Sequence, residues 1–431
     1  MSPPRASRPL YAWYGDDFTG STDVLEALGV HGVESVLFTH TPSARDRAAF
    51  AHCRAIGIAG ESRSRDPRWM SRNLPAVFRA MRRLGAPVNH YKVCSTFDSS
   101  PSTGSIGRAM EVGRSVFGPE PIPIVVGAPR LGRAVVYGNL FAAAEGVMYR
   151  IDRHPTMRRH PVTPMNEADL RLHLARQTAL NVGLVDATAF QANAAAQQFR
   201  AQADAGADAI VFDGFSNAML EETARIIWHS ARKHPVFAVG SSGLTSGLLL
   251  HWSSTGLIRG ANAPARAKPT DRLLVLSGSC SPITAKQIRR AKQLGFAAWR
   301  VQDSALSPTL AANALRALQQ GKSVAMYTAL GPQAKGDRRS EHIGSAFGDF
   351  FARLILESGV RRVLIAGGDT ATHAVKQLKL DALTFAASLA PGVPLCMGHA
   401  NRSPFHGLEL ALKGGQMGGE NFFVEVRDGL S

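Results

Sequence analysis

Two adjacent aspartates, Asp16 and Asp17, stand in the stretch YGDDFTG, between an apolar run and a segment with helical spacing. Like charges side by side repel, and a helix cap needs a single oxygen, which Thr19 or Ser21 would supply. The pair is surplus to a turn and suits proton removal from a hydroxyl, or the holding of a cation. Further on, AGESRSRDP offers Arg63 and Arg65, and arginine matches a carboxylate through two parallel hydrogen bonds. NHYKVCSTFDSSPSTGSIG then crowds Lys92, Ser95, Thr96, Asp98 and Ser99 together, more hydroxyls and charge than a turn requires. His154 and His160 each precede a proline beside Arg153, Arg158 and Arg159. Such loops use histidine for hydrogen bonding more often than for metals, so no metal ligands are assigned.

The C-terminal part carries three glycine-rich stretches after apolar runs. LLVLSGSCSPITAKQIRRA sets Ser279 and Ser281 at the start of a helix, whose free amides favour an anion. VLIAGGDTATHAVKQL offers Gly367 and Gly368 for close backbone approach, with Asp369 and Thr370 as helix cap or as ribose or metal contacts. LALKGGQMGGENFF places Gly414, Gly415, Gly418 and Gly419 around Gln416 beside Lys413. Any one of these occurs for packing reasons alone, but three together point to a nucleotide-sized ligand. Neither GxxxxGK[ST] nor a clean GxGxxG is present, which excludes a P-loop enzyme and gives a dinucleotide dehydrogenase no support.

Short β-branched runs alternating with helical segments must position these residues. Strands are expected at LYAWYG, SVLFTH, AIGIAG, NHYKV, PIPIVVGAP, VGLVD, AIVFDG and PVFAVGSSG. After a proline-bearing linker, ANAPARAKPTD, the pattern restarts with LLVLSGS, AAWRVQ, SVAMYTA, RVLIAGGD, PLCMG and NFFVEV. DVLEALG and a long ADLRLHLARQTA read as helices. The alternation predicts an α/β fold with two domains, 1–262 and 270–431, each a mostly parallel sheet flanked by helices. Ligands of such sheets bind beyond the strands' carboxyl ends, and the ligand site is expected in the cleft between the domains.

The 431 residues are 45% hydrophobic, too many for one ordinary core. The cysteines, Cys53, Cys94, Cys280 and Cys396, are too scattered for a zinc site or disulfide framework. No apolar run spans a membrane, and the N-terminus lacks a signal's apolar core, so a cytoplasmic protein is expected, with no membrane partner. Lys and Arg number 49 against 33 Asp and Glu, a net charge of +16. The arginines are scattered along helices rather than gathered in a stripe, which favours anionic small molecules over nucleic acid.

DDFTG, GRAVVYGN, SGSCSPITAKQ, AGGDTATHA, PGVPL and LKGGQMGG, in this order, resemble the four-carbon acid sugar kinase family over essentially the whole chain. The resemblance implies an ATP-dependent kinase of threonate, erythronate, 3-oxo-tetronate or a branched acid sugar, acting on the terminal hydroxyl. It implies that the N-terminal domain holds the acid and the C-terminal domain holds ATP. It puts Asp16 and Asp17 at the sugar, one as base, and makes Arg63 the grip on the acid. It also brings the 279–281 turn, the 367–370 turn and Gly415 to the nucleotide. The family's K-x-D-S-T-L-R-G-N segment is altered here: Cys94 replaces its aspartate, and Phe97 and Asp98 replace Leu-Arg, so Asp98 is expected to supply the displaced carboxylate. Kinase chemistry further implies Mg²⁺ bridging the phosphates. An NAD-dependent hydroxy-acid oxidoreductase would need the missing GxGxxG. A sugar-acid-sensing protein would need neither paired aspartates nor three glycine turns. A homo-oligomer is compatible with this reading.

Overall fold

The computed structural model describes residues 8–261, 266–301, 308–331, 340–401 and 403–429; the side chains of residues 340–347 and of Asp369 fall outside that description. The expected linker therefore lies partly outside the described residues.

In chain order the strands are β1 (Tyr11–Gly15), β2 (Ser35–Phe38), β3 (Ala55–Ala59), β4 (Val88–Lys92), β5 (Ile122–Val125), β6 (Arg133–Val136), β7 (Asn139–Ala144), β8 (Val147–Arg150), β9 (Val182–Val185), β10 (Ala209–Phe212) and β11 (Val236–Gly240). They continue with β12 (Leu274–Ser277), β13 (Ala297–Arg300), β14 (Val324–Tyr327), β15 (Arg362–Ala366), β16 (Ala382–Ala390), β17 (Val393–His399) and β18 (Glu409–Lys413). The chain divides into two compact units. The first comprises residues 1–16, 31–35 and 41–262; the second comprises 17–30, 36–40 and 263–431. The division falls between the two aspartates.

In the first unit the strands run parallel in the order β3-β1-β4-β11-β5-β10-β9. β1, β3, β4 and β11 are buried throughout, as expected for strands covered on both faces. The helix Pro67–Leu84 illustrates the covering layer. Asp66 caps it through the Trp69 amide, Pro67 opens it and left-handed Gly85 closes it. Met70, Leu74, Phe78, Met81 and Leu84 recur at helical spacing and are its buried face. Each contributes about 1.5–3 kcal/mol on burial. Phe78 meets Tyr14 of β1 edge-on at 6.1 Å. A separate antiparallel sheet, β6-β7-β8, was not foreseen in the GRAVVYGN region.

In the second unit, β13-β14-β12-β15-β18 is parallel, while β18-β17-β16 and residues 36–38 of β2 continue it antiparallel. The helix Phe18–Val30 belongs to this unit. Its buried Glu26 accepts hydrogen bonds from Ser388 Oγ and the Gly392 amide, and Gly29 lies where a Cβ would strike the Phe385 ring.

Two expectations need correction. NFFVEV is the helix Phe422–Asp428, not a strand. Its aromatic and β-branched content mimics a strand, but Phe422, Phe423 and Val426 are buried as a helical stripe. The long helix expected at ADLRLHLARQTA is only Leu170–Ala175. It stops because the chain turns after Leu174 and the Gln177 side chain bonds to Ser99 and His173.

Candidate active site

Register makes the carboxyl ends of β1, β3, β4 and β11 level: Gly15 stands opposite Ala59 and Lys92, and Lys92 opposite Gly240. The Asp16 amide donates to the Lys92 carbonyl at 2.9 Å, and the Arg63 amide donates to the Asp16 carbonyl at 3.1 Å. The first aspartate is thus tied through the backbone to both expected basic groups. Asp16 and Lys92 are buried, at 5% and 2% exposure. Beneath them Tyr14 and Tyr91 stack at 5.9 Å, and the Tyr91 hydroxyl meets Ser62 Oγ at 2.9 Å. Gly60 is required here, since a Cβ would come within 2.1 Å of the Tyr14 hydroxyl. Burial pushes Tyr14 up to about 12 and Tyr91 well above its ordinary value, with the Asp16 charge adding to both.

Arg63 and Asp98 bind each other. Arg63 Nη2 reaches both Asp98 oxygens, at 3.0 and 2.9 Å. Asp98 also accepts from Thr96 Oγ1 at 2.5 Å and from Thr163 Oγ1 at 3.0 Å. Burial would raise its pKa, but the Arg63 and His160 charges and the hydrogen bonds from Thr96 and Arg63 outweigh it and hold the carboxyl below its ordinary range. Gly104 seats this arrangement: its φ is +60°, and a Cβ would strike the Arg63 carbonyl at 2.4 Å. Ser95 lies half-buried in the same turn. His154 and His160 accept backbone hydrogen bonds through Nδ1, the Thr156 and Met157 amides at the first and the Thr163 amide at the second.

Asp17 caps its own helix. Its Oδ1 accepts from the Gly20 amide and from Thr19 Oγ1, and its carbonyl accepts from the Ser21 amide. This corrects the expectation that Thr19 or Ser21 is the cap: a carboxylate one position earlier suits the helix's positive end better than a hydroxyl. A Cβ on Gly368 would stand 3.6 Å from Asp17 Oδ2, so the second carboxylate lies against one of the glycine turns.

The three turns are also level, because Ser277 stands opposite Ala366 and Ala366 opposite Lys413. They approach through glycines. A Cβ on Gly278 would come within 1.9 Å of Thr370 Oγ1, and one on Gly415 within 2.7 Å of Ser279 Oγ. Gly367 takes φ +114°, a conformation that L side chains rarely adopt. Gly414 is looser, a Cβ meeting only Met417 at 3.6 Å. Two buried side chains hold the last turn from behind. Lys413 Nζ donates to the Gly414 and Gly415 carbonyls, and Gln287 Nε2 donates to the Met417, Gly418 and Gly419 carbonyls. Ser277 Oγ and Ser281 Oγ are buried and find no partner among the described residues.

Two family profiles match in tandem: a sugar-binding N-terminal domain over residues 11–248 and a nucleotide-binding C-terminal domain over 274–423. The chain belongs to the four-carbon acid sugar kinase family. It is 42% identical to a 3-oxo-isoapionate kinase of Paraburkholderia graminis, over 97% of this chain and 94% of that protein. It is 31% identical to a 3-oxo-tetronate kinase of Pseudomonas fluorescens, over 97% and 96%. A Salmonella typhimurium LT2 crystal structure superposes with a TM-score of 0.76 at 25% identity, covering 96% of this chain and 98% of that one.

In this acid sugar kinase, the orphaned serine hydroxyls, the close glycine approaches and the helix N-termini fit a nucleotide's phosphates. Asp369, expected there too, has its side chain outside the described residues. Sequence reasoning missed Thr163, which lies 65 positions from Asp98, and Thr284 and Gln287, which stand within the SGSCSPITAKQ stretch but were not singled out in it. It also missed Ser242, buried at the start of the helix after β11 with no partner for its hydroxyl among the described residues. The GSSG that ends β11 was the available signal. No described helix is long and apolar enough to cross a membrane.

Proposed function

We propose that this ATP-dependent sugar acid kinase phosphorylates a hydroxyl of a 3-oxo sugar acid, of the 3-oxo-isoapionate or 3-oxo-tetronate kind. Full-length identity to kinases named for those two acids supports the substrate class. The geometric observation that carries the reading is the division of labour between neighbouring carboxylates. Asp16 is bonded into the Arg63 and Lys92 backbone, whereas Asp17 lies against Gly368.

In this reading Arg63 and Lys92 bind the acid's carboxylate, and Ser95, Thr96 and Asp98 shape the pocket for its hydroxyls. Asp98 acts through Arg63, fixing the guanidinium's plane. One of Asp16 and Asp17 takes the acceptor hydroxyl's proton as the oxygen attacks. Ser279, Ser281, Gly367, Gly368, Thr370, Gly414 and Gly415 hold ATP, with Asp369 beside them. ATP supplies the phosphoryl group when bound. Mg²⁺ would be held chiefly by phosphate oxygens and water.

The test is ADP release from Mg·ATP with 3-oxo-isoapionate, 3-oxo-tetronate, threonate and erythronate. The proposal expects turnover on a 3-oxo acid to exceed that on the reduced acids by at least tenfold. Equal or better turnover on threonate or erythronate would remove the 3-oxo assignment, and acid-independent ATP hydrolysis would remove the acceptor reading altogether.

A further inference from the structure

Arg133 opens β6 directly after the left-handed Gly132, whose φ is +64°. Its backbone exchanges two hydrogen bonds with Ala128, at 3.0 and 3.1 Å, shortly after β5 ends at Val125. Val125 stands opposite Gly240, and Gly240 opposite Lys92, so Arg133 returns the chain to the carboxyl edge that carries Lys92.

One end of its guanidinium is spent. Nη1 donates to the Leu131 and Gly132 carbonyls at 3.0 and 3.1 Å, and reaches the Ala143 carbonyl of β7 at 3.4 Å. These bonds fix the plane of the group. The other edge, Nε and Nη2, makes no hydrogen bond among the described residues. Nε is buried and Nη2 is not, so the edge is reached from the Nη2 side. Elsewhere in the chain this same edge grips carboxylates. Arg171 holds Asp169 with Nε at 3.0 Å and Nη2 at 2.6 Å, and Arg225 holds Glu222 with both at 2.6 Å. Two parallel N–H bonds match the two oxygens of a carboxylate.

No carboxylate of its own unit occupies that edge in Arg133. Residues 1–7 and 262, the part of the first unit outside the description, include no Asp or Glu. Burial disfavours the Arg133 charge, and the group that offsets this is the Cys94 thiol. Cys94 belongs to the segment after β4: its Sγ lies 3.0 Å from Thr96 Oγ1, which also meets Asp98. Arg63 differs, because its charge is already met by both Asp98 oxygens. A buried donor without a partner carries a desolvation cost that an incoming oxygen removes.

We propose that Arg133 binds the carboxylate of the sugar acid through Nε and Nη2, and that this contact is what distinguishes an acid from an uncharged sugar. This rests on the acid-binding role given above to the first unit. Arg63 and Lys92 complete the grip, with Arg133 supplying the charge that no protein carboxylate of its unit has taken up.

The test uses whichever of the four acids above the native protein turns over best, and that acid's primary amide, which keeps the size and loses the charge. Calorimetry gives the affinity for each, and ADP release gives kcat and both KM values. Arg133→Met is expected to weaken the acid about thirtyfold in Kd and KM, the loss of a charged hydrogen-bonded pair, while the amide changes by about threefold at most. The KM for ATP should stay near native. Arg133→Lys, charged but without the fork, should recover part of the loss. An unchanged acid affinity overturns the proposal. Equal losses for acid and amide also overturn it, since Arg133 would then only prop its loop. Should Arg133→Met not fold, Arg133→Lys decides by the same comparison, weakening the acid and not the amide. Failure of the native protein to turn over any of the acids overturns the acid reading, and this inference with it.

Discussion

The sets of residues assigned to the acid and to the nucleotide are built differently. Around Asp98 the first unit uses side chains: a guanidinium and two threonine hydroxyls converge on one buried carboxylate. Around Gly415 the second unit uses backbone, with glycines that let three turns close on one another and a lysine and a glutamine bonding carbonyls from behind. Side-chain networks change with one substitution, whereas backbone turns present the same amides whatever the neighbouring side chains. The difference suits a family in which the phosphoryl donor stays fixed and the acceptor varies.

The comparison breaks most visibly at the residues where the two units adjoin in sequence. Asp16→Asn and Asp17→Asn each keep a hydrogen-bond acceptor, and asparagine caps helices as well as aspartate. The one that is the base should lose about 100- to 10,000-fold in kcat, with nucleotide affinity within a few-fold of native. Steady-state kinetics with calorimetric ATP binding check this, and two near-native variants would remove the base from both positions. Next in size is Gly278→Ala. Its Cβ would press on Thr370 Oγ1 from 1.9 Å. Overpacking of this kind costs about 1–3 kcal/mol, read in urea unfolding, and should raise the KM for ATP but not for the acid. Adding Thr370→Ala should restore part of the stability.

Much of this was legible beforehand, and the reasons are specific. Strands β1, β3 and β12 are short apolar runs closing on Gly, Ala and Ser, a pattern local in sequence, so that they end on one side of a parallel sheet could be inferred from the α/β alternation, whereas β4 is the more polar VNHYK. The glycine turns were legible because close approach leaves glycine little choice. Pairings between distant residues were not. Nothing local says that Arg63 would be engaged by Asp98, or that Thr163 would complete the set, because both depend on how loops separated by 35 and 65 positions fold together. The helix Phe422–Asp428 was misread because packing, not propensity, decided it. Lys413 was visible beside its glycines, but its burial was not.

A third prediction sharpens the contrast through pH. Asp98 is held below the ordinary carboxylate range by Arg63, His160 and Thr96 against the opposing pull of burial. A depressed folded value contributes stability that is fully present above the unfolded pKa of about 3.9 and lost as pH falls through the folded value. Asp98→Asn removes that contribution, so its stability should depend less on pH below about 4 than the native protein's. Urea unfolding between pH 3 and 6 checks this. At pH 7 the same variant should lose about 1–3 kcal/mol and raise the KM for the acid, because Arg63 loses the carboxylate that fixes its plane.

The smallest expected effects are the most discriminating, because they remove one hydroxyl from each assembly. Thr163→Val takes a donor from Asp98 without touching Arg63. Thr284→Val takes an acceptor from Lys413 and a donor from the Gly415 carbonyl. Each should cost about 1–2 kcal/mol of stability, so unfolding alone does not separate them. Their kinetics should. Thr163→Val is expected to raise the KM for the acid a few-fold and leave ATP unchanged, and Thr284→Val to do the reverse. A side-chain network that loses one of several donors keeps the rest, whereas the turn held by Lys413 loses two of its bonds at once, so the second change should be the larger. Both KM values moving together in either variant would mean that the two assemblies are coupled, and that the acid and nucleotide sites are not built as independently as their residues indicate.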